Sequence, residues 1–583
     1  MMANTIKRGQ DNKLQVYFES ASGFPALELA RKKCGQDALR HAPAEAFDAK
    51  LLKEDAVLAF IQSNSSGQKV VKELNLRLPR LPAGGYHIEV VQKQHKILVV
   101  AGGDLFGMLA GLADMFLHSE LMPRNLIYRG NTRTEKPAFP LRYYWTWDHS
   151  ANWMLDDPGN QFDGCFNLYL KRPETFLEDY RRLVDHCIEM RFNGIVIWGF
   201  LRAAHGGETY AYEVAKYAAD RGVAILPGLG TTGYGGIYYE GNHPYNLETY
   251  LARNPKFGNM NKDGKISRRD ISPYYPENQE WIKSGVEWLY RNFPIGGANM
   301  ENNDLMLDYS AVGRRGRAKI KSKEADYFKD QFFAYKTALG VAHAMAPKAW
   351  NTYATYCGFG RGRQATNAGA DMGRAPYFSK RMPPSAVAQW TLTGMLSATP
   401  IPMHEWLEHA RPPSAYKNPR WPRGLRPPTP RSAGFIHQAS QWGFRRADIA
   451  VSHFAEACLR GHEAGLEGIS VHGEVTSRLL AWKLNYLAMR HWTYHPESTL
   501  EEFALAELAP RLGGEKDARL FIEVMCRHEE GKLNADQDKK ASAMVRRWYP
   551  YNDGRTEYNL PVCQLWSELL AWNGKVPGAT QLI

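Results

Sequence analysis

From about residue 141 onward, short apolar segments alternate with longer segments of helical periodicity, and this alternation limits the possible folds of the chain most strongly. Such alternation is typical of parallel βα units, and eight of these units close into a barrel. We expect strands at residues 141–148, 194–200, 223–229, 295–302, 348–356, 398–405, 432–440 and 468–474. Helical periodicity marks residues 173–190, 208–220, 277–292, 323–346 and 446–464. The alternation therefore predicts an α/β fold built on a (β/α)8 TIM barrel.

The residues on either side of this segment have different patterns. Residues 86–91 and 96–101 resemble paired strands, and residues 102–118 follow them with helical periodicity. Pro137 and Pro140 interrupt both kinds of element and mark a boundary. From about residue 498 the pattern is mainly helical. We predict a small accessory domain with α+β content over residues 1–135, the barrel over 136–497, and a mainly helical C-terminal region over 498–583.

Charge and composition argue against several classes of protein. The net charge is +12, but the basic residues are spread along the 583 residues, so we expect no nucleic acid partner. The seven cysteines lack CxxC or metal-ligand spacing, so we expect no disulfide framework, no metal and no cofactor. We find no apolar signal core and no long apolar stretch. A soluble protein without a membrane partner is expected, cytoplasmic as given, or periplasmic or secreted if a signal peptide has been removed.

Aromatic residues are abundant, at 12% of the chain with 16 Trp and 30 Tyr. Sugar-binding clefts use such rings as flat apolar platforms. A tryptophan-rich core explains the same composition equally well, so composition leaves both explanations open. A group of basic residues has two interpretations, a site for an anionic sugar or solvated loops: Arg314, Arg315, Arg317, Lys319, Lys321, Arg361, Arg363 and Arg374.

Several short segments carry a resemblance to a known group of enzymes. They are GYHIEV at residues 85–90, ILVVA at 97–101, GMLAG at 107–111, LRYYWTWD at 141–148, YAADRGVAILPG at 217–228 and ANMENND at 298–304. Together they resemble glycoside hydrolases of the family 20 and family 67 types, the β-N-acetylhexosaminidases and α-glucuronidases. In those families a small α/β domain precedes a catalytic barrel. The resemblance spans about residues 80–480 and implies an enzyme that hydrolyses O-glycosyl bonds.

The chain departs from the pattern of those families at three places. The spacing in the first strand is one residue longer, and Gly228 stands where the third strand usually ends in glutamate. Met300 stands where hexosaminidases place an aspartate that orients the acetamido group of the substrate. The departures argue against substrate-assisted catalysis in that form.

Glycosidic bond cleavage needs one protonated carboxyl group and one carboxylate. Glu301 ends the fourth strand, where the resemblance also implies the acid, so we predict that it is the general acid; a surface or helix-capping glutamate is the alternative. Glu474, at the end of the eighth strand, is the preferred catalytic partner, with capping of the next helix as the competing role. Asp304 is a further catalytic candidate, either as that partner or as a neighbour that adjusts the pKa of Glu301.

Substrate binding is assigned to polar and aromatic residues at the strand ends: Arg142, Asp148, Trp147, Trp198, His205, Tyr234, Tyr239 and Glu405. Arg142 and Asp148 are expected to bind sugar hydroxyls, and the tryptophans to stack on a sugar ring. His149 extends the loop after the first strand. Asp148 and Glu405 are also candidates for the catalytic partner, and His205 is either a ligand contact or a structural histidine.

The preferred hypothesis is an exo-acting glycoside hydrolase that removes a terminal uronic acid or amino sugar from a glycan, with the basic residues favouring an acidic glycan. The alternative is a carbohydrate-binding barrel without catalysis, which the residues at 228 and 300 keep open. A barrel lyase or isomerase is a third possibility. For it we would expect a metal cluster or a lysine base at the strand ends, and the sequence has neither pattern.

Overall fold

The computed structural model describes residues 3–19, 23–151, 171–301, 307–322, 326–355, 381–391, 427, 431–436, 451–472, 480–512, 514–516, 518–519 and 521–522. The first part of the chain forms two sheets. Their strands are β1 (Asn4–Lys7), β2 (Leu14–Phe18), β3 (Leu39–Pro43), β4 (Ala56–Ile61), β5 (Tyr86–Gln92), β6 (Lys96–Gly102), β7 (Ser119–Leu121), β8 (Asn125–Tyr128) and β9 (Arg133–Glu135). The larger sheet has the order β3-β2-β4-β6-β5-β9, and the smaller has the order β1-β8-β7.

Helices cover both faces of the larger sheet. They are α1 (Gly23–Cys34), α2 (Ser65–Leu74) and α3 (Leu105–Leu117). In β4, Val57 packs with α1 and α3 on one face, and its neighbour Leu58 packs with α2 on the other, as the alternation of side chains along a strand requires. Asp104 caps α3 by accepting a hydrogen bond from the backbone N–H of Gly107.

The second part of the chain forms a closed barrel of eight parallel strands, in the order β10-β11-β12-β15-β16-β17-β18-β19. Parallel pairing of β19 with β10 closes it. The strands are β10 (Leu141–Trp147), β11 (Gly194–Trp198), β12 (Ala224–Gly230), β15 (Gly297–Glu301), β16 (Trp350–Ala354), β17 (Ala386–Thr391), β18 (Ser432–Ile436) and β19 (Gly468–His472). A separate hairpin, β13 (Gly258–Met260) and β14 (Ile266–Ile271), lies between the third and fourth barrel strands.

Helices follow the barrel strands in the described residues. They are α4 (Pro173–Met190), α5 (Gly207–Ala219), α6 (Leu247–Arg253), α7 (Pro276–Asn292), α8 (Ala311–Ala318), α9 (Asp326–Met345), α10 (Val451–Glu463) and α11 (Leu480–Trp492). The chain continues with α12 (Leu500–Phe503), a π-helix (Ala504–Leu508) and α13 (Ala509–Leu512). The predicted fold class is confirmed. No helix among the described residues is both long and apolar enough to span a bilayer.

The sixth barrel strand lies elsewhere than the sequence predicted. We expected it at residues 398–405, but the barrel uses β17, Ala386–Thr391, between the fifth and seventh strands. Gln389 lies within this strand and bonds to Asn299 of β15 across the lumen, so the segment lacks the continuous apolar run of a buried parallel strand. Glu405 therefore does not end the sixth strand, and it lies outside the described residues.

A buried charge cluster joins the first sheet to the barrel and to the C-terminal helices. Asp114 of α3 pairs with Arg133 at 2.7 Å, with Arg191 after α4 at 3.2 Å, and with Arg490 of α11 at 2.8 Å. Burial by itself raises the pKa of this carboxyl, but the guanidinium groups outweigh it and hold the pKa of Asp114 well below its usual value. These three parts of the chain are therefore held together by electrostatics as well as by apolar packing.

Candidate active site

A polar node lies in the lumen on the fourth strand. Oδ1 of Asn299 accepts hydrogen bonds from Nε1 of Trp145 (3.2 Å) and Nε1 of Trp198 (3.1 Å). Its Nδ2 donates to Oγ1 of Thr352 (2.8 Å) and to Oε1 of Gln389 (3.0 Å). Asn299 is fully buried, and these bonds use the whole capacity of its amide. The first, second, fourth, fifth and sixth strands are thereby tied together at one level of the barrel.

Five aromatic residues pack together next to this node, toward the C-terminal end of the barrel. We call them the aromatic floor: Trp145, Trp147, Trp198, Tyr234 and Tyr239. The ring centroid of Trp147 lies 5.7 Å from that of Trp198 and 5.6 Å from that of Tyr239. Tyr234 meets Trp198 edge-on at 5.7 Å. The structure therefore brings together the four aromatic residues predicted to bind substrate, and their contact with a sugar stays a prediction.

The glycine at position 228 has a steric cause. A Cβ atom at Gly228 would lie 2.4 Å from a ring carbon of Trp198, far inside van der Waals contact. Any side chain there would displace the Trp198 ring, so the aromatic floor requires glycine where the resembling families end this strand with glutamate.

Glu301 lies above the floor at the C-terminal end of β15. It is two residues beyond Asn299, so its side chain projects from the same, lumen-facing side of the strand. The residue is half-buried, and its carbonyl oxygen accepts a hydrogen bond from the backbone N–H of Thr231 at 3.0 Å. Burial raises the pKa of the Tyr143 hydroxyl, and the negative charge of Glu301 raises it further. The predicted position of Glu301 at a strand end is therefore confirmed, and its catalytic role stays a prediction.

Asp148 lies directly after β10 in a buried cluster. Its Oδ2 accepts from Nε of Arg202 at 2.6 Å, and its Oδ1 lies 3.1 Å from Nδ1 of His149. Burial alone raises the pKa of Asp148, but hydrogen bonds from His149 and His205 and the charge of Arg202 hold it far below its usual value. Gly199 permits this packing, because a Cβ there would lie 2.6 Å from Cγ of Asp148. With 2% of its surface exposed, Asp148 supports the wall of the site.

His205 belongs to the same cluster and has a structural position. Its Nε2 donates to the carbonyl oxygen of Gly199 at 2.8 Å and lies 3.4 Å from Oδ2 of Asp148. Its ring stacks on Phe176 of α4 with centroids 3.8 Å apart, and no part of the residue is exposed. Both residues therefore have structural contacts within the protein, and Nδ1 of His205 is buried without a partner among the described residues. Contact of either residue with a sugar stays a prediction.

Arg142 does not lie at the mouth of the barrel, where we expected it. It is the second residue of β10, so it lies at the N-terminal end of the barrel, opposite the mouth. Its guanidinium donates to the carbonyl oxygens of Arg191 (2.8 Å) and Phe139 (2.6 Å) and lies over the ring of Tyr494 at 5.1 Å. Arg142 is fully buried, and this burial lowers its pKa. It also lies over the ring of Phe106 in α3 at 5.7 Å, and it is too far from the mouth to hold a sugar there.

Three predicted site residues, Glu474, Asp304 and Glu405, lie outside the described residues. Of the basic group, Arg317 is buried and forms an ion pair with Asp330 at 2.8 Å, which occupies it within the fold. Among the residues that the structure describes, no group of three His, Cys, Asp or Glu side chains is placed to hold a metal ion.

Sequence reasoning missed two important polar residues of the site. Asn299 could have been found from one signal, because it is an amide in a barrel strand whose residues before Glu301 are otherwise apolar or small. Arg202 had no such signal, because its partner Asp148 is 54 positions earlier in the chain. It also lies over the Tyr239 ring at 4.7 Å and pairs with Glu240, and so connects Asp148 to the aromatic floor.

Comparison with solved structures finds the TIM-barrel glycoside hydrolases. The chain is similar to a family GH115 4-O-methyl-α-glucuronidase, at a TM-score of 0.55 and 10% identity over 97% of this chain and 73% of that one. It is similar to the Flavobacterium johnsoniae chitobiase of family GH20, at a TM-score of 0.52 and 10% identity over 95% and 75% of the two chains. A β-N-acetylhexosaminidase from Bacteroides fragilis matches at 0.47 and 14% identity over 85% and 94%.

At these identities the likeness shows the fold. The predicted resemblance to hydrolases of the hexosaminidase and glucuronidase types is confirmed at that level. No family model matches the sequence, and no curated protein matches it.

Proposed function

We propose that this chain is a glycoside hydrolase that removes a terminal uronic acid or amino sugar from a glycan, with Glu301 as the proton donor. The observation that carries the proposal is the half-buried Glu301 at the C-terminal end of β15, in a barrel whose lumen carries the aromatic floor. In TIM-barrel enzymes the C-terminal ends of the strands hold the catalytic groups. A general acid also needs a partly desolvated position and an apolar surface on which the sugar ring can lie.

The order of the strands supports Glu474 as the second carboxylate. In a closed barrel of eight strands, the eighth strand, β19, lies diametrically opposite the fourth, β15. Glu474 follows the last residue of β19 by two positions in the sequence and lies outside the described residues, so its pairing with Glu301 rests on the strand order alone. A separation of about 5 Å between their carboxyl groups leads to retention of the anomeric configuration, and about 6.5–9.5 Å leads to inversion.

The exo mode of action is part of the proposal. Tyr143, Trp145 and Trp198 are buried within the barrel below the level of Glu301. As in other (β/α)8 barrels, this packing leaves the C-terminal end as the approach for a glycan, whether the enzyme cleaves terminal or internal bonds. Met300, next to Glu301, is fully buried in the hydrophobic core, so an amino sugar would bind without the neighbouring aspartate that hexosaminidases use.

The test is turnover of aryl glycosides by the wild-type chain and by Glu301→Gln. The panel contains phenyl, 4-nitrophenyl and 2,4-dinitrophenyl glucuronides, galacturonides and N-acetylhexosaminides of both anomers. Removal of a general acid is expected to lower kcat/KM by about 10²–10⁴-fold. The loss should be larger for phenyl than for 2,4-dinitrophenyl glycosides, because a good leaving group needs little protonation. Glu280→Gln, at an exposed glutamate of α7, is the matched control and should leave turnover unchanged.

A second candidate is a barrel that binds carbohydrate without cleaving it. Gly228 and Met300 favour it, because both stand where the resembling hydrolases keep acidic residues. Sugar binding without turnover of any glycoside in the panel would support this candidate and contradict hydrolysis. Turnover that survives Glu301→Gln equally for all leaving groups would contradict the assignment of the acid. Proton NMR of the first-released anomer identifies the stereochemical course.

A further inference from the structure

We propose that His149 is a ligand-binding residue whose Nε2 accepts a hydrogen bond from a hydroxyl or amide N–H of the bound sugar, beside the ring of Trp147. The inference rests on the proposed function, since it assumes that the mouth of the barrel holds a sugar. It adds a specificity-determining contact to a site so far defined by Glu301 and the aromatic floor.

The first step is the tautomer of His149. Its Nδ1 lies 3.1 Å from Oδ1 of Asp148. An ionised carboxylate only accepts hydrogen bonds, so Nδ1 carries the proton that is donated to it. In the neutral imidazole this leaves a lone pair on Nε2, at the other edge of the ring. Asp148 thereby defines His149 Nε2 as an acceptor.

The second step is the missing partner of that acceptor. His149 is 5% exposed, and its Nε2 is buried without a hydrogen-bond partner among the described residues. Buried polar atoms nearly always have a partner, and one without a partner requires an explanation. His149 lies in the loop after the first barrel strand, at the mouth of the barrel. We propose that a bound ligand supplies the missing donor.

The neighbouring ring provides an independent observation. Trp147 stacks on His149 with centroids 6.1 Å apart and an interplanar angle of 17°. Its indole Nε1 is also buried without a partner among the described residues. Two adjacent rings therefore carry one unused donor and one unused acceptor. A sugar hydroxyl both donates and accepts hydrogen bonds, so hydroxyl groups match this pair.

The third step is the direction of the ring. Asp148 belongs to the helix-facing side, where His205 stacks on Phe176 of α4, whereas Trp147 belongs to the aromatic floor. The imidazole contacts both sides, because its Nδ1 meets Asp148 and its ring faces Trp147. The proposal places the Nε2 edge toward the lumen. Arg202 holds Asp148 from a third direction at 2.6 Å, which keeps the ring in one orientation before any ligand binds.

The experiment compares wild type, His149→Phe and His149→Gln. Phenylalanine keeps a flat ring on Trp147 without a nitrogen, and the glutamine side chain returns an acceptor oxygen. The probes are glucuronic acid, N-acetylglucosamine and their monodeoxy analogues, titrated by calorimetry. Because the readout is binding, it does not depend on turnover.

We expect His149→Phe to weaken binding of the parent sugar about tenfold, as for one lost hydrogen bond, and His149→Gln to recover most of it. One deoxy analogue should bind wild type about tenfold more weakly than the parent, and His149→Phe should bind both equally. If the variant folds and binds every probe as wild type does, or if each deoxy penalty is the same in both chains, the inference is wrong.

Nitrogen NMR of His149 in the wild-type chain covers the case in which His149→Phe does not fold. Sugar binding should shift the Nε2 resonance, and an unchanged resonance at saturation would overturn the contact. Sugar binding without glycoside turnover contradicts hydrolysis and leaves the contact in place. If no probe binds the wild-type chain, this inference fails, whereas the proposed function is decided by turnover of the aryl glycosides.

Discussion

Replacement of Asn299 by alanine tests whether the polar node organises the candidate site. The change removes the acceptor of two indole N–H groups, Trp145 and Trp198, and the donor to Gln389. Each buried group that loses its partner costs about 1–3 kcal/mol, so for these three groups we expect a loss of about 3–9 kcal/mol in the stability of the barrel. The two tryptophans should also lose their fixed orientation.

The measurement is the thermal midpoint by far-ultraviolet circular dichroism, with near-ultraviolet spectra for the tryptophans. At roughly 2 °C per kcal/mol for a large domain, the midpoint should fall by about 6–18 °C. Thr352→Val is the matched control, because it keeps the shape and leaves one N–H of Asn299 without its acceptor, and by the same rule it should cost about 1–3 kcal/mol. If Asn299→Ala lowers the midpoint no more than Thr352→Val, or leaves the near-ultraviolet spectrum unchanged, the node does not organise the site.

Two other substitutions test the packing of the floor and the attachment of the first domain. Gly228→Ala should push the Trp198 ring aside and weaken sugar binding about tenfold or more, measured by tryptophan fluorescence, whereas Gly340→Ala, with open space around it, should have no effect. Asp114→Asn should destabilise the chain by about 3–5 kcal/mol near neutral pH, since it leaves Arg490 and its neighbours without their carboxylate. The folded-state pKa of Asp114 is depressed, so its contribution is present above about pH 4, the unfolded value, and is lost as the pH falls further. Thermal midpoints should therefore converge for the two chains in acid, and a difference that persists there would contradict the ion-pair explanation.

The periodicity of apolar residues in the sequence was sufficient to predict the architecture. The strand–helix alternation predicted the closed barrel, and seven of its strands lie where we expected them. The exception is informative, because Gln389 in β17 is a polar residue that faces the lumen and is satisfied by Asn299. When the hydrogen-bond partner of a polar residue lies across the barrel, the sequence around that residue does not indicate that the strand is buried.

The roles of individual polar residues were harder to predict. Asp148 and Arg142 were both expected to bind sugar hydroxyls, and both are buried in contacts within the protein. Arg142 could have been excluded from its position alone, because the beginning of a parallel barrel strand lies away from the mouth. The contact of Asp148 with Arg202 could not have been predicted, because nothing near Asp148 in the sequence indicates it.

The amino-acid sequence by itself determined the order of elements and the placement of Glu301 at the end of the fourth strand, since these depend on local periodicity and on chain direction. Only the tertiary structure decided which polar groups meet. Asn299 reaches Trp145 across 154 positions of the chain and Trp198 across 101, and only barrel closure brings them within hydrogen-bond distance. Hydrogen bonds in a lumen depend on distances across the barrel, and those distances do not exist until the last strand pairs with the first.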